Sequence, residues 1–142
     1  MEISHEQLCR QLVDTCNDAI MFSDRDGIIQ LWNAGATALF GYTATEALGQ
    51  SLDLIIPENL RARHWEGYHK VMASGVTRYA TELLAAPALC KDGSRISTEF
   101  SMILVRSKTG AVLGTGAVIR NVTARWQKEK ALKERLAELE KR

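Results

Sequence analysis

The stretch Lys91-Asp92-Gly93-Ser94-Arg95-Ile96-Ser97-Thr98-Glu99-Phe100-Ser101-Met102 decides how this chain folds. Its first four residues form a turn, because Asp and Gly accept the backbone angles that a reversal needs. After it, Ile96, Thr98, Phe100 and Met102 recur at every second position, which sets them on one face of a strand over residues 95–106. The preceding residues 77–90, after the breaker Gly75, read as a long strand that enters the same turn. On the far side Lys108-Thr109-Gly110 makes another turn. Residues 111–122 make a third strand, in which Gly114 and Gly116 permit close approach by a neighbouring backbone or a ligand. Three consecutive strands with tight turns predict an antiparallel meander.

The first half of the chain supplies the rest of the sheet and its cover. Residues 4–16 carry Leu8, Leu12 and Val13 at helical spacing, with Ser4 and Gln7 placed as a capping box, which predicts a lead-in helix. Ala19-Ile20-Met21-Phe22 and Ile28-Ile29-Gln30-Leu31-Trp32 flank Asp24-Arg25-Asp26-Gly27, the pattern of a β-hairpin. Asn33 then caps a short helix that stops at Gly41, and Thr43 with Glu46 boxes a second that stops at Gly49. Pro57 opens a longer helix over residues 57–72, where Leu60, His64, Tyr68, Val71 and Met72 recur at spacings of three and four. That periodicity puts His64 on the same face as Leu60 and Tyr68, the face toward the core. From Thr123 onward Ala, Glu, Lys, Leu, Arg and Gln dominate, and Leu132, Leu136 and Leu139 form a narrow apolar seam that calls for a partner. The order predicts an α+β architecture, a five-stranded antiparallel sheet with helices on one face, flanked by N-terminal and C-terminal amphipathic helices. A pocket is expected between helix and sheet, and the divisions fall at 1–17, 18–123 and 124–142.

Bulk composition narrows the function. A chain of 142 residues supports one domain with a real core, and a net charge of +1 gives no field for nucleic acid or an anionic membrane. A small ligand or a protein partner is the expectation. The three cysteines, Cys9, Cys16 and Cys90, include no C-x-x-C pair, which disfavours a disulfide framework and a structural zinc site and fits a cytoplasmic setting. No run of eighteen apolar residues and no signal-peptide pattern occurs, so no membrane segment is expected in this chain. Nor is there a phosphate-cradling loop, a His-Glu-x-x-His or a Gly-x-Ser-x-Gly, so the reading is not an enzyme; Asp24 and Asp26 serve a hairpin turn.

Several landmarks then appear in order: Asp26-Gly27-Ile28-Ile29 with Trp32-Asn33, Ala38-Leu39-Phe40-Gly41-Tyr42, Ile56-Pro57-Glu58, Lys91-Asp92-Gly93-Ser94 and Arg120-Asn121-Val122-Thr123. Together they resemble the PAS sensor-domain family over residues 18–123. Asn121 departs from the aspartate common in the family, keeping its hydrogen bonding and losing its charge. Within the family, Arg61-Ala62-Arg63-His64 looks like the haem-ligand segment of FixL-type PAS domains and of related haem-regulated phosphodiesterases. This resemblance implies haem b with His64 on the iron, and Lys70 and Arg78 close to the basic residues that hold the propionates. Leu84 falls where those sensors place an arginine that hydrogen-bonds bound oxygen, and Glu82 where the phosphodiesterase has an iron-binding methionine. Both distal functions are therefore missing from their expected positions. A wall of Leu84, Ala86, Met102 and Leu104 favours carbon monoxide, nitric oxide or a redox role, with Met102 a candidate second axial ligand.

The implied function is a sensor of a diatomic gas or redox state that signals through the helix at 124–142. Its implied partners are a second copy, through the terminal helices, and a downstream effector domain or partner protein. Covalent flavin chemistry would need a cysteine near residues 49–54, where the chain has Gln50-Ser51-Leu52, so haem is favoured over flavin, which stays open as a non-covalent ligand. The alternatives are a cofactor-free dimerisation or interaction module, and a PAS domain holding non-covalent flavin or another small ligand.

Overall fold

The computed structural model describes residues 2–77 and 82–141. Its elements run α1 (His5–Thr15), β1 (Ala19–Asp24), β2 (Ile29–Trp32), α2 (Ala34–Phe40), α3 (Ala44–Ala47), α4 (Arg61–Ser74), β3 (Leu84–Leu89), β4 (Arg95–Arg106), β5 (Val112–Asn121) and α5 (Thr123–Glu140). Five strands form one antiparallel sheet in the order β2-β1-β5-β4-β3, so the hairpin and the meander predicted from the sequence meet along β1 and β5. Both predicted capping boxes are present, Ser4 with Gln7 and Thr43 with Glu46.

Two boundaries differ from the sequence reading. The helix expected to begin at Pro57 starts instead at Arg61, after a 3-10 turn at Glu58–Leu60. Of the long strand expected over residues 77–90, the described part is strand only at Leu84–Leu89; residues 78–81 lie outside the described residues. β3 is an edge strand, and its Pro87 has no amide to give to a further neighbour.

Asn33 ties the N-terminal helix to the sheet. Its buried side chain accepts from the Ile20 amide at 2.8 Å and the Ala36 amide at 2.9 Å. Its amide nitrogen donates to the carbonyls of Val13, Cys16 and Asp18 at 2.8, 3.3 and 3.0 Å. One side chain thus fixes the exit of α1, the start of β1 and the start of α2. Behind it, Ile29, Trp32, Ala36 and Phe40 are buried, with the Trp32 and Phe40 rings 5.5 Å apart. Trp32 completes its bonding by donating its indole N–H to the Tyr42 carbonyl at 3.0 Å.

At the other end, Thr123 opens α5. Its amide bonds Asn121 Oδ1 at 3.0 Å, and its hydroxyl accepts from the Ser97 amide at 2.9 Å. Arg125 pairs with Glu99 of β4, which fixes the first turn of the helix against the sheet. Beyond that turn α5 projects with Leu132, Leu136 and Leu139 exposed by 54%, 60% and 48%, as a helix awaiting a partner would be. Trp126 is also half exposed, its ring beneath Lys130 at 5.2 Å, and does not pack onto the sheet core.

Candidate functional site

α4 lies over the sheet with a cavity of about 200 Å³ beneath it. The walls come from Met21 and Ser23 of β1, Thr98, Phe100 and Met102 of β4, Thr115, Ala117 and Ile119 of β5, and Ala86 of β3. Helix-side residues Leu60, His64 and Tyr68 also line it, together with the buried core residues Phe40, Leu52 and Ile55. Strand alternation explains the membership, since the even-numbered β4 residues and the odd-numbered β5 residues share the face turned to α4.

His64 is half-buried on this wall, and its Nδ1 is a buried polar atom with no hydrogen-bond partner. Burial pushes the imidazole below its ordinary value of 6.5, with Asp53 acting against that shift and His69 with it. The ring is therefore neutral at neutral pH and carries a nitrogen with unused bonding capacity. Its neighbours hold it from the side: the Trp65 ring edge is 4.8 Å away and the Tyr68 ring 5.7 Å away, centroid to centroid.

Trp65 does not enter the cavity. Its indole N–H donates to Asp53 Oδ1 at 2.7 Å, and its ring covers Gly27, where a Cβ would sit 2.1 Å from the ring. Gly27, at φ +76°, therefore serves both the hairpin turn and the docking of α4. Arg61 bonds the carbonyls of Ile56 and Asp53 at 3.0 and 3.2 Å and so fixes the start of the helix.

Tyr68 bridges helix and sheet. Its hydroxyl donates to the Asp24 carbonyl and lies 3.0 Å from Ser23 Oγ, which lies 3.3 Å from Thr115 Oγ1. Ser23 and Thr115 are direct cross-strand partners between β1 and β5. Three hydroxyls thus meet on a wall that is otherwise almost wholly apolar. Sequence reading placed Tyr68 on the right face, but the pairing of Ser23 with Thr115, separated by 92 positions, had no local signal.

The other sequence-derived candidates separate. Met102 lines the cavity with His64. Leu84 and Leu104 belong to β3 and β4 but lie outside the cavity lining, Leu104 packing against the core instead. Lys70 sits on the exposed side of α4, with Nζ 3.4 Å from Glu66 Oε1, because six residues of helix carry it well round from His64. Arg78 lies outside the described residues. Cys90, whose neighbour Lys91 could have lowered its pKa, is instead pushed up by burial and bonds the Leu39 carbonyl at 3.5 Å, the setting of an inert thiol. Among the described residues no group of three or more His, Cys, Asp or Glu side chains is arranged to hold a metal ion, and no helix is long and apolar enough to cross a membrane.

The result is a half-covered antiparallel sheet with a ligand-sized space under one helix. The chain belongs to the PAS family: the family described as PAS fold matches residues 7–122, and the protein is a PAS signal-sensing domain. It is 29% identical to the sensor protein FixL of Bradyrhizobium diazoefficiens, over 96% of this chain and 26% of that protein. It is 30% identical to the oxygen sensor protein DosP of Escherichia coli, over 63% of this chain and 11% of that protein. The chain therefore spans about a quarter or less of these relatives. The crystal structure of a PAS domain from Colwellia psychrerythraea superposes with a TM-score of 0.72 at 20% identity, covering 85% of this chain and 99% of that one, which speaks to the fold.

Proposed function

We propose that this PAS domain binds haem b, that the His64 imidazole would hold its iron, and that the domain reads a diatomic gas or a redox state. The observation that carries the proposal is the buried, unpartnered Nδ1 of a neutral His64 beside an apolar cavity. A metal-binding imidazole must be unprotonated, and burial already holds it so. With no cluster of three ligating side chains among the described residues, a bare ion would lack protein ligands, whereas a haem iron brings four nitrogens of its own and asks the protein only for axial ones. The donor chemistry fits. When bound, haem supplies an iron that takes up a diatomic gas or an electron.

The remaining roles belong to side chains of this chain. Met21, Phe100, Met102 and Ile119 supply apolar walls that exclude water, and Met102 would be the candidate for a second protein ligand to the iron. Leu84 stands outside the lining, and among the described residues the lining itself holds no Lys or Arg to donate to bound oxygen, so the reading favours carbon monoxide, nitric oxide or redox sensing over oxygen. Lys70 would have to leave Glu66 to meet a propionate. A porphyrin is larger than a cavity of about 200 Å³, so loading requires α4 to part from the sheet, against the Tyr68 bonds to β1. Tyr68 also begins a continuous bonded path: Asp24 in β1, the β1–β5 ladder, Asn121, Thr123 and α5. Signalling would shift α5 between two packings in a homodimer formed through α1 and α5, with an effector domain or partner protein downstream.

The test is an absorption spectrum after haem addition, for the native protein and His64→Ala. A Soret band present in the first and lost in the second supports the proposal. No band, with intact circular dichroism, refutes it. A flavin spectrum in the purified protein would select non-covalent flavin, and neither chromophore a cofactor-free dimerisation module.

A further inference from the structure

The three hydroxyls on the cavity wall have a direction, which a count of protons reveals. Tyr68 has one hydroxyl proton and lies against the carbonyls of Asp24 and Ser23, groups that only accept, so the proton is spent there. Ser23 Oγ, 3.0 Å away, must then donate to the phenolic oxygen, and Thr115 Oγ1, 3.3 Å further on, donates to Ser23. All three protons point away from Thr115 along the chain. Thr115 Oγ1 is left with lone pairs on the cavity wall and no proton to spare.

The wall therefore presents an acceptor. The neutral His64 ring lines the same cavity, its Nδ1 without a hydrogen-bond partner. Among the described residues that line the cavity there is no Lys, Arg, Asp or Glu, so a charged ligand would be buried without a counter-charge. Size sets a second limit. An apolar protein cavity of about 150 Å³ admits benzene, so about 200 Å³ admits one ring with a short substituent.

We infer that the haem-free cavity binds a neutral, single-ring molecule bearing an O–H or N–H donor, which bonds Thr115 Oγ1 while the ring packs among Met21, Phe40, Ile55 and Phe100. The inference does not depend on haem binding. It uses the cavity at its described size, and haem would displace such a ligand.

Titration calorimetry of the haem-free full chain with phenol, toluene and benzoate tests it. Phenol binds, and benzoate does not. Thr115→Val removes the acceptor at nearly constant shape, so phenol affinity relative to toluene falls about five- to tenfold. Ser23→Ala is the second variant: it frees the Thr115 proton, so anisole, which only accepts, gains relative to toluene. No phenol binding by the folded native chain overturns the inference. So does a phenol-to-toluene ratio unchanged by Thr115→Val, or, where that variant does not fold, an anisole-to-toluene ratio unchanged by Ser23→Ala. Haem binding is read separately by the Soret band, so either proposal can fail alone.

Discussion

Replacing His64 by leucine should make the haem-free domain more stable, although it removes the residue on which the proposed function turns. Nδ1 of His64 is buried and unbonded, and an unsatisfied polar atom of this kind costs about 1–3 kcal/mol. Leucine carries no polar atom and occupies a similar place between Leu60 and Tyr68. Because the imidazole is only half-buried, we expect a gain toward the lower part of that range, about 1–2 kcal/mol. For a domain of this length that is a rise in Tm of roughly 3–8 °C. Urea unfolding at pH 7.5, followed by circular dichroism, should show the midpoint raised by about 0.5–1 M with the slope unchanged. The sign with pH is fixed as well. His64 has its pKa lowered below 6.5 in the fold, so on acidification through 6.5 the unfolded chain takes up a proton that the folded one resists. Native stability falls as pH drops through that window, and the leucine variant lacks this component, so its advantage widens. A leucine variant no more stable than the native chain at pH 7.5 would show that Nδ1 is not an unsatisfied group.

Three further outcomes follow from the bonding. Tyr68→Phe removes the bonds from α4 to Asp24 and Ser23, which should cost about 1–3 kcal/mol in urea unfolding and, with the tether gone, speed haem uptake in stopped-flow absorbance. Unchanged stability would mean that Tyr68 does not hold the helix. Asn33→Ala strips five bonds from a buried hub and should cost about 3 kcal/mol or more, with hydrogen exchange accelerated first in α1 and at the start of β1. Ending the chain at Thr123 removes the exposed Leu132, Leu136 and Leu139, and sedimentation should then report monomer; an unchanged mass would take α5 out of the dimer interface.

What the sequence disclosed was whatever short-range periodicity and capping control. The boxes at Ser4 and Thr43, the cap at Asn33 and the shared face of His64 and Tyr68 are decided within four residues, and all are present. Lys70 rests on the family resemblance rather than on helical spacing, and six residues from His64 it emerges beside Glu66. The Ser23–Thr115 contact was illegible because it depends on the register of β1 against β5, a choice made by the whole sheet. The start of α4 was misjudged because Pro57 suits a 3-10 turn as readily as an α-helix.

The junction between sheet and exit helix is made by a neutral pair, Asn121 and Thr123, where an aspartate would carry charge. An amide neither titrates nor draws counterions, so this hinge keeps its bonding from acid to alkaline solution and from low salt to high. The ion pairs around it, Arg120 with Asp18 and Arg125 with Glu99, are the parts that ionic strength can loosen. α5 is thus joined to the sheet by an element indifferent to the solvent and trimmed by two that respond to it. The Asn121–Thr123 bonds therefore persist while salt changes how tightly the first turn of α5 is pressed to the sheet.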